Sequence, residues 1–357
     1  MQPRSLKAIA FVGALVATAF VVASPLGAAE QNAYVVTNLV SDSAAVPAAA
    51  HDASLVNGWG LTASSSSPWW VSDNGAGPPN VSTLYNGNTG AKVPLTVTVA
   101  GGPTGTVFNI AGAGFAVPGG TSSRFLFASE DGKIRGWPGS GLVAQETAAQ
   151  SSAPDAKYKG LAMAVTSDGP RLYATDFHNN HVDVWDSSWN LVTSATFSDP
   201  SLPEGYAPFG IQRVGEMIVV TYARQDADAA DELHGQGLGF VDAYDTAGNL
   251  LGRVAQHGQL NAPWGLAQAP ASFGRFGGDL LVGNFGDGQI NAYAKLPNGH
   301  FEHRGELRDP AGKALAIDGL WALEFGNDGG AGPSTRLFFT AGPNDEQDGL
   351  FGSIDPN

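Results

Sequence analysis

The chain of 357 residues contains no cysteine. Disulfides and thiolate metal sites are thereby excluded, and the fold must be held by packing alone. Cations are scarce as well: 18 Lys and Arg stand against 33 Asp and Glu, a formal net charge of −15. So few cations cannot neutralise a phosphate backbone, which argues against nucleic acid as a partner. The surplus of acid suits either solubility or cation binding. Beyond the first residues no apolar run is long enough to cross a bilayer, so an integral membrane protein is not expected. His-Glu-x-x-His, a phosphate loop and a Gly-x-Ser-x-Gly elbow are also missing, which removes the most legible catalytic signatures.

What is present begins with a secretory pattern. Arg4 and Lys7 precede an apolar stretch at 8–22, and Gly27-Ala28-Ala29 offers small residues for cleavage. A membrane helix is the competing reading, but the stretch is short and followed by a cleavage site. The expectation is a signal peptide at 1–29, a protein secreted to the outside or the periplasm, and one domain over 30–357. With 48 Gly, 22 Pro and only 14% charged residues, that domain reads as many short strands joined by tight turns.

One phrase recurs six times: an apolar-Gly-apolar turn, a strand ending in a polar residue, then a strand with an aromatic. Gly58-Trp59-Gly60-Leu61, Ala113-Gly114-Phe115, Lys159-Gly160-Leu161, Pro208-Phe209-Gly210-Ile211, Pro263-Trp264-Gly265-Leu266 and Gly319-Leu320-Trp321 open the copies. Taking Gly60, Gly114, Gly160, Gly210, Gly265 and Gly319 as equivalent gives intervals of 54, 46, 50, 55 and 54 residues, a blade-sized period. A β-sandwich would not repeat one phrase six times, so the fold class is all-β, a six-bladed β-propeller. The last copy lacks a fourth strand before the sequence ends. The strand-like segment 33–40 is expected to pair beside 350–354 and close the ring, since an open edge invites aggregation. The Ala-rich stretch 41–52 reads as a linker to blade one, and the acidic excursion 225–239 as either a functional loop or disorder.

Adjacent strands of a blade run antiparallel, so the Gly turns and the ends of the second strands share one face. That face gathers a candidate ligand surface of Trp59, Asp73, Asn74, Arg224, Trp264, Asp287, Trp321 and Asn344, fit for a small molecule, glycan or peptide. Glu130, Asp176, Asp226 and Asn284 supply oxygen donors of the kind Ca²⁺ takes, six to eight at a time. Six-bladed lactonases and related hydrolases use channel Ca²⁺ in this manner, so a Ca²⁺-dependent hydrolase is the alternative to a binding or scaffold protein. In that case His178 or Asp73 is the candidate base. Asp and Asn also end strands simply because they suit turns. A monomer is expected.

Leu55-Val56-Asn57-Gly58-Trp59-Gly60-Leu61, Tyr158-Lys159-Gly160-Leu161-Ala162, Tyr206-Ala207-Pro208-Phe209-Gly210-Ile211, Leu260-Asn261-Ala262-Pro263-Trp264-Gly265-Leu266, Leu281-Val282-Gly283-Asn284-Phe285-Gly286-Asp287-Gly288 and Ile317-Asp318-Gly319-Leu320-Trp321 resemble an uncharacterised family of secreted bacterial NHL-like propellers. Some members of that family end in a PEP-CTERM sorting segment. This chain ends at Ile354-Asp355-Pro356-Asn357 without one, so a released protein is expected. The resemblance implies the propeller and carries over no reaction or catalytic residue.

Overall fold

Six sheets of three to five strands, antiparallel but for one short edge pair, follow one another along the chain in the computed structural model, which describes residues 31–75 and 80–357. The signal-peptide expectation falls on residues outside that set. Blade one is Gly58–Thr62, Trp69–Asp73, Val81–Tyr85 and Lys92–Thr98. Blade two is Pro103–Phe108, Phe125–Ser129, Ile134–Trp137 and Gln145–Glu146. Blade three has three strands, Tyr158–Thr166, Gly169–Asp176 and His181–Asp186. Blade four is Tyr206–Val214, Met217–Gln225, Phe240–Tyr244 and Leu250–Gln256, and blade five Pro263–Gln268, Leu280–Asn284, Ile290–Lys295 and Phe301–Glu306. Leu320–Phe325, Leu337–Ala341 and Leu350–Pro356 begin blade six. A single 3₁₀ turn, Gly274–Phe276, is the one helix among the described residues, none of which forms a helix long and apolar enough to cross a membrane.

Blade six is finished from the other end of the chain. Tyr34–Ser41 pairs antiparallel with Leu350–Pro356, in a register running from Tyr34 opposite Pro356 to Ser41 opposite Leu350. The closing strand expected at 33–40 is therefore present. The neighbouring stretch is more than a linker: Ala50–His51 adds a parallel fifth strand at Val40 and Ser41. Tyr34 anchors the closure, fully buried against Phe273 at 5.0 Å and Phe276 at 6.1 Å.

The recurring Gly phrase has a structural cause. In every blade the pairing of the first strand with the second shifts register at this point, between Gly58 and Leu61, Pro103 and Thr106, Tyr158 and Gly160, Pro208 and Ile211, Pro263 and Gly265, and Leu320 and Leu323. A bulge bends the strand and re-aims a side chain. The residue before each glycine turns into the channel, and the glycine lies against the next blade's backbone. At Gly210 an added Cβ would collide with the carbonyl of Trp264. Threonine hydroxyls staple two seams: Gly160 N–H donates to Thr175 Oγ1 at 2.7 Å, which donates to the Phe209 carbonyl at 2.7 Å. Ala322 N–H likewise donates to Thr340 Oγ1, which donates to the Trp59 carbonyl.

This pattern corrects two copies of the phrase. In blade two the ring glycine is Gly105, within Pro103-Thr104-Gly105-Thr106; Gly114 lies in the connection to the next strand. In blade six the ring position is Ala322, three residues after Gly319.

Candidate functional site at the channel mouth

The six residues that the bulges turn inward are Trp59, Thr104, Lys159, Phe209, Trp264 and Trp321. The indoles plug the channel. Trp321 is fully buried, stacked between Trp59 at 3.7 Å and Phe285 at 3.9 Å, with Phe209 and Trp264 edge-on at 5.8 and 5.9 Å. Its indole N–H donates to Asn57 Oδ1 at 2.8 Å, and that of Trp264 donates to the Lys159 carbonyl at 3.2 Å. Such ring pairs add about 0.5–1.5 kcal/mol each beyond area burial, so they stabilise the plug.

Lys159 occupies an aromatic's slot in blade three and is only 1% exposed. Its ammonium lies 5.1 Å from the Trp59 ring centroid and pairs with Glu130 at 2.6 Å and Asp231 at 2.9 Å. Those two carboxylates, with Glu232 nearby, outweigh its desolvation and hold it above the ordinary lysine range. Glu130 also accepts from Asn74 Nδ2 at 2.9 Å, which ties blade one to blade two.

Asp231 and Glu232 arrive from the acidic excursion, which packs back onto its own blade. Glu232–Leu233 pairs back onto Arg224 and Gln225. Gly235 N–H donates to Asn261 Oδ1 at 2.6 Å, and the His234 ring meets Phe285 edge-on at 5.0 Å. The excursion thus folds over the plug. From blade six comes Glu346, which accepts from Asn57 Nδ2 at 2.6 Å and is pushed up to about 7, first by burial and then by Glu232. It ends three successive residues with left-handed backbone, Asn344, Asp345 and Glu346 at φ of 57°, 52° and 63°. Non-glycine residues pay about 1–2 kcal/mol each for that conformation, and such strain gathers at functional sites. His234 is raised by its hydrogen bond to Glu232 and by Glu346 and Asp345.

The expected site residues fall in several places. Trp59, Trp264 and Trp321 form the plug, and Asn74 and Glu130 its rim. Arg224 is exposed on the strand that receives Glu232–Leu233. Asn344 opens the strained turn, its N–H donating to Asp318 at 2.9 Å and its side-chain amide to Asp348. Asp73 is buried inside blade one, accepts from Thr83 N–H at 2.9 Å, and is pushed well above the carboxylate range by desolvation. His178 is engaged by the excursion, with Nδ1 3.1 Å from the Ala229 carbonyl.

The four expected Ca²⁺ donors do not assemble. Glu130 pairs with Lys159, and Asp226 accepts from Ala230 N–H within its own turn. Asn284 donates to the Gln259 carbonyl and to Asp287 Oδ1, which also accepts from Gln289 N–H. Asp176 belongs instead to a buried group with His181 and Asp183, the one set of three acidic or imidazole ligands among the described residues that fits a metal ion.

Sequence reasoning missed Lys159, Asp231, Glu232, His234 and Glu346. A signal did exist for the first: the only charged residue in an otherwise aromatic or hydroxylic slot of the phrase. It also missed the opposite mouth, where half-buried Glu324 shares a cavity with Thr106, Gln212 and Arg213 and is pushed up to about 8 by desolvation.

Bladed sheets, a bulge in every inner strand and an aromatic plug define a six-bladed β-propeller. Two uncharacterised proteins of Acanthamoeba polyphaga mimivirus are similar along most of their length. One is 32% identical over 333 residues, covering 86% of this chain and 76% of its own; the other is 30% identical over 335 residues, covering 86% and 82%. The chain belongs to the family of these proteins. Its relatives are viral, so they lend no support to the bacterial and secreted character expected from the resemblance. No family model matches. Among solved structures, a glucose dehydrogenase (TM-score 0.53, 12% identity, 89% of this chain and 98% of that one) shares the fold. So does regucalcin, a calcium-binding protein of Agrobacterium tumefaciens (TM-score 0.50, 14% identity, 84% and 90%).

Proposed function

We propose that this protein is a binding propeller that takes a cationic ligand, an amine or a basic peptide segment, at the plugged channel mouth. One observation carries the reading: the excursion is folded over the aromatic plug so that Glu130, Asp231, Glu232, Asp345 and Glu346 share one ammonium and one imidazole. A mouth with surplus carboxylate over a low-dielectric floor focuses potential toward cations. Calorimetric titration with spermidine, an Arg-rich hexapeptide and maltotriose tests this. Binding of the two cations, weakening as salt rises, is expected; binding of the neutral sugar alone would contradict it. Export through residues 1–29 is part of the proposal, and N-terminal sequencing of the protein from culture supernatant checks it.

A second reading, hydrolysis of a lactone or ester, is favoured by Glu346. A carboxyl titrating near neutrality beside a fixed ammonium has the character of a general acid–base residue. A lactone and ester panel with Glu346→Gln as control decides it. Ca²⁺ dependence belongs to this reading, supported by the likeness of fold to a calcium-binding protein, and melting with EGTA followed by Ca²⁺ tests it separately.

A further inference from the structure

Blade three holds two buried carboxylates with no full cation of their own. Asp176 ends the second strand and His181 opens the third, directly opposite it; Asp183, two residues on, falls on the same side of that strand. The side chains of Asp176 and Asp183 are 0% and 2% exposed. His181 Nε2 lies 3.2 Å from Asp183 Oδ1 and 3.6 Å from Asp176 Oδ2, and one donor atom from each residue falls within 4.8 Å of the others.

Charge balance bears on this group. Buried carboxylates cost several kcal/mol of desolvation per ion unless a partner charge offsets it. Arg253 serves Asp199 and Asp242, Lys159 serves Glu130 and Lys92 serves Asp52, whereas Asp73 has no paired cation among the described residues and is pushed up by desolvation instead. Among the described residues no lysine or arginine pairs with Asp176 or Asp183. The imidazole ring is oriented as well. Its Nδ1 faces the Asn179 carbonyl at 3.3 Å, and its Nε2 faces Asp183 Oδ1, Asp176 Oδ2 and Ser152 Oγ, so the second ring nitrogen converges with the two carboxylates. Metal-bound histidines are held by such a bond on the far nitrogen. Ser151 and Tyr158 hydroxyls brace Asp183 Oδ2 at 3.2 and 2.6 Å, and Ser152 Oγ lies 2.8 Å from Nε2. A cavity of about 200 Å³ between blades three and four, lined by His181, Asn180, Glu204 and Tyr222, opens beside the imidazole, and neither carboxylate lines it.

We propose that Asp176, His181 and Asp183 bind a divalent transition-metal ion of the Zn²⁺ or Mn²⁺ class, at a site separate from the channel mouth. One imidazole with two carboxylates suits these ions, whereas Ca²⁺ takes six to eight oxygens.

The test is metal analysis of the full chain after incubation with Zn²⁺, Mn²⁺ or Ca²⁺ and dialysis, on the wild type, His181→Ala, Asp183→Asn and, as a control, Glu130→Gln. Retention of about one Zn²⁺ or Mn²⁺ per wild-type chain is expected, with affinity at least ~10-fold lower in the first two variants and unchanged in the control. Should both variants misfold, the absorption spectrum of Co²⁺ bound to the wild type reads the site directly, and nitrogen ligation is expected. Retention that ignores His181→Ala, no retained transition metal, or Co²⁺ with oxygen ligands alone would overturn the proposal.

Discussion

At the scale of single residues the mouth is organised by Lys159. Removing one partner of a buried ion pair costs about 3–5 kcal/mol when both charges are enclosed. Here Asp231 is largely exposed and Glu130 partly so, which lowers the penalty. Lys159→Met keeps the stem against Trp59 and should cost about 1–3 kcal/mol in urea unfolding, while Asp231→Asn should cost under about 1 kcal/mol. Equal costs would mean the ammonium is not the hub.

Buried Asp73 and Asp242 are raised in the same direction, and Glu346 and Glu324 add to that pH dependence. Their folded values, about 7 and about 8, lie above the ordinary 4.5. The native state therefore binds the extra protons, and the stability these groups contribute is full below pH 4.5 and lost as pH rises to about 8. Melting temperature should fall across that window. Between pH 4.5 and 7 both groups contribute, so either Gln variant should reduce that part of the slope, whereas the stretch from 7 to 8 should respond to Glu324→Gln alone. A slope unaffected by both variants would count against these assignments.

At the scale of elements, the bulged inner strand is the repeating part that makes the ring close. Gly210→Ala forces a methyl against the Trp264 carbonyl and should destabilise by more than about 2 kcal/mol. Ala322→Gly, at the seam where the ring already accepts a methyl, should cost about 1 kcal/mol or less. Thermal melts of the pair separate a steric ring requirement from general strand propensity. The closing strand is the second such part. Deleting residues 31–41 unpairs the whole of Leu350–Pro356 on one side, and a sharp drop in melting temperature is expected. Tyr34→Ala alone should cost about 3–5 kcal/mol through the cavity left against Phe273 and Phe276.

At the scale of the molecule, the ring was legible in the sequence because each blade must repeat the same bulge, and a bulge pressed against backbone selects glycine. In blade two the ring glycine was assigned to the wrong position because Thr104 fills the channel slot, so the expected aromatic pointed to Gly114 instead of Gly105. The closing strand was legible as the one strand pattern left over. The mouth was much less so. Lys159 reads as a surface residue until the ring places its slot inside, and the excursion 225–239 has no periodicity to show that it folds back over the plug. Strand-end residues such as Asp176 and Asn284 were found, but which way a side chain leaves a strand end depends on neighbours that spacing does not reveal. Both turned into their own blades.

The central claim is that the folded-back acidic excursion makes the mouth a cation-binding surface. Its most direct test is calorimetric titration of an Arg-rich hexapeptide into the wild type and into Asp231→Asn/Glu232→Gln, with circular dichroism confirming that the ring is intact. Binding by the wild type is expected, weakened about tenfold or more in the variant and by added salt. Equal affinity for the two proteins, or no binding to either, would contradict it.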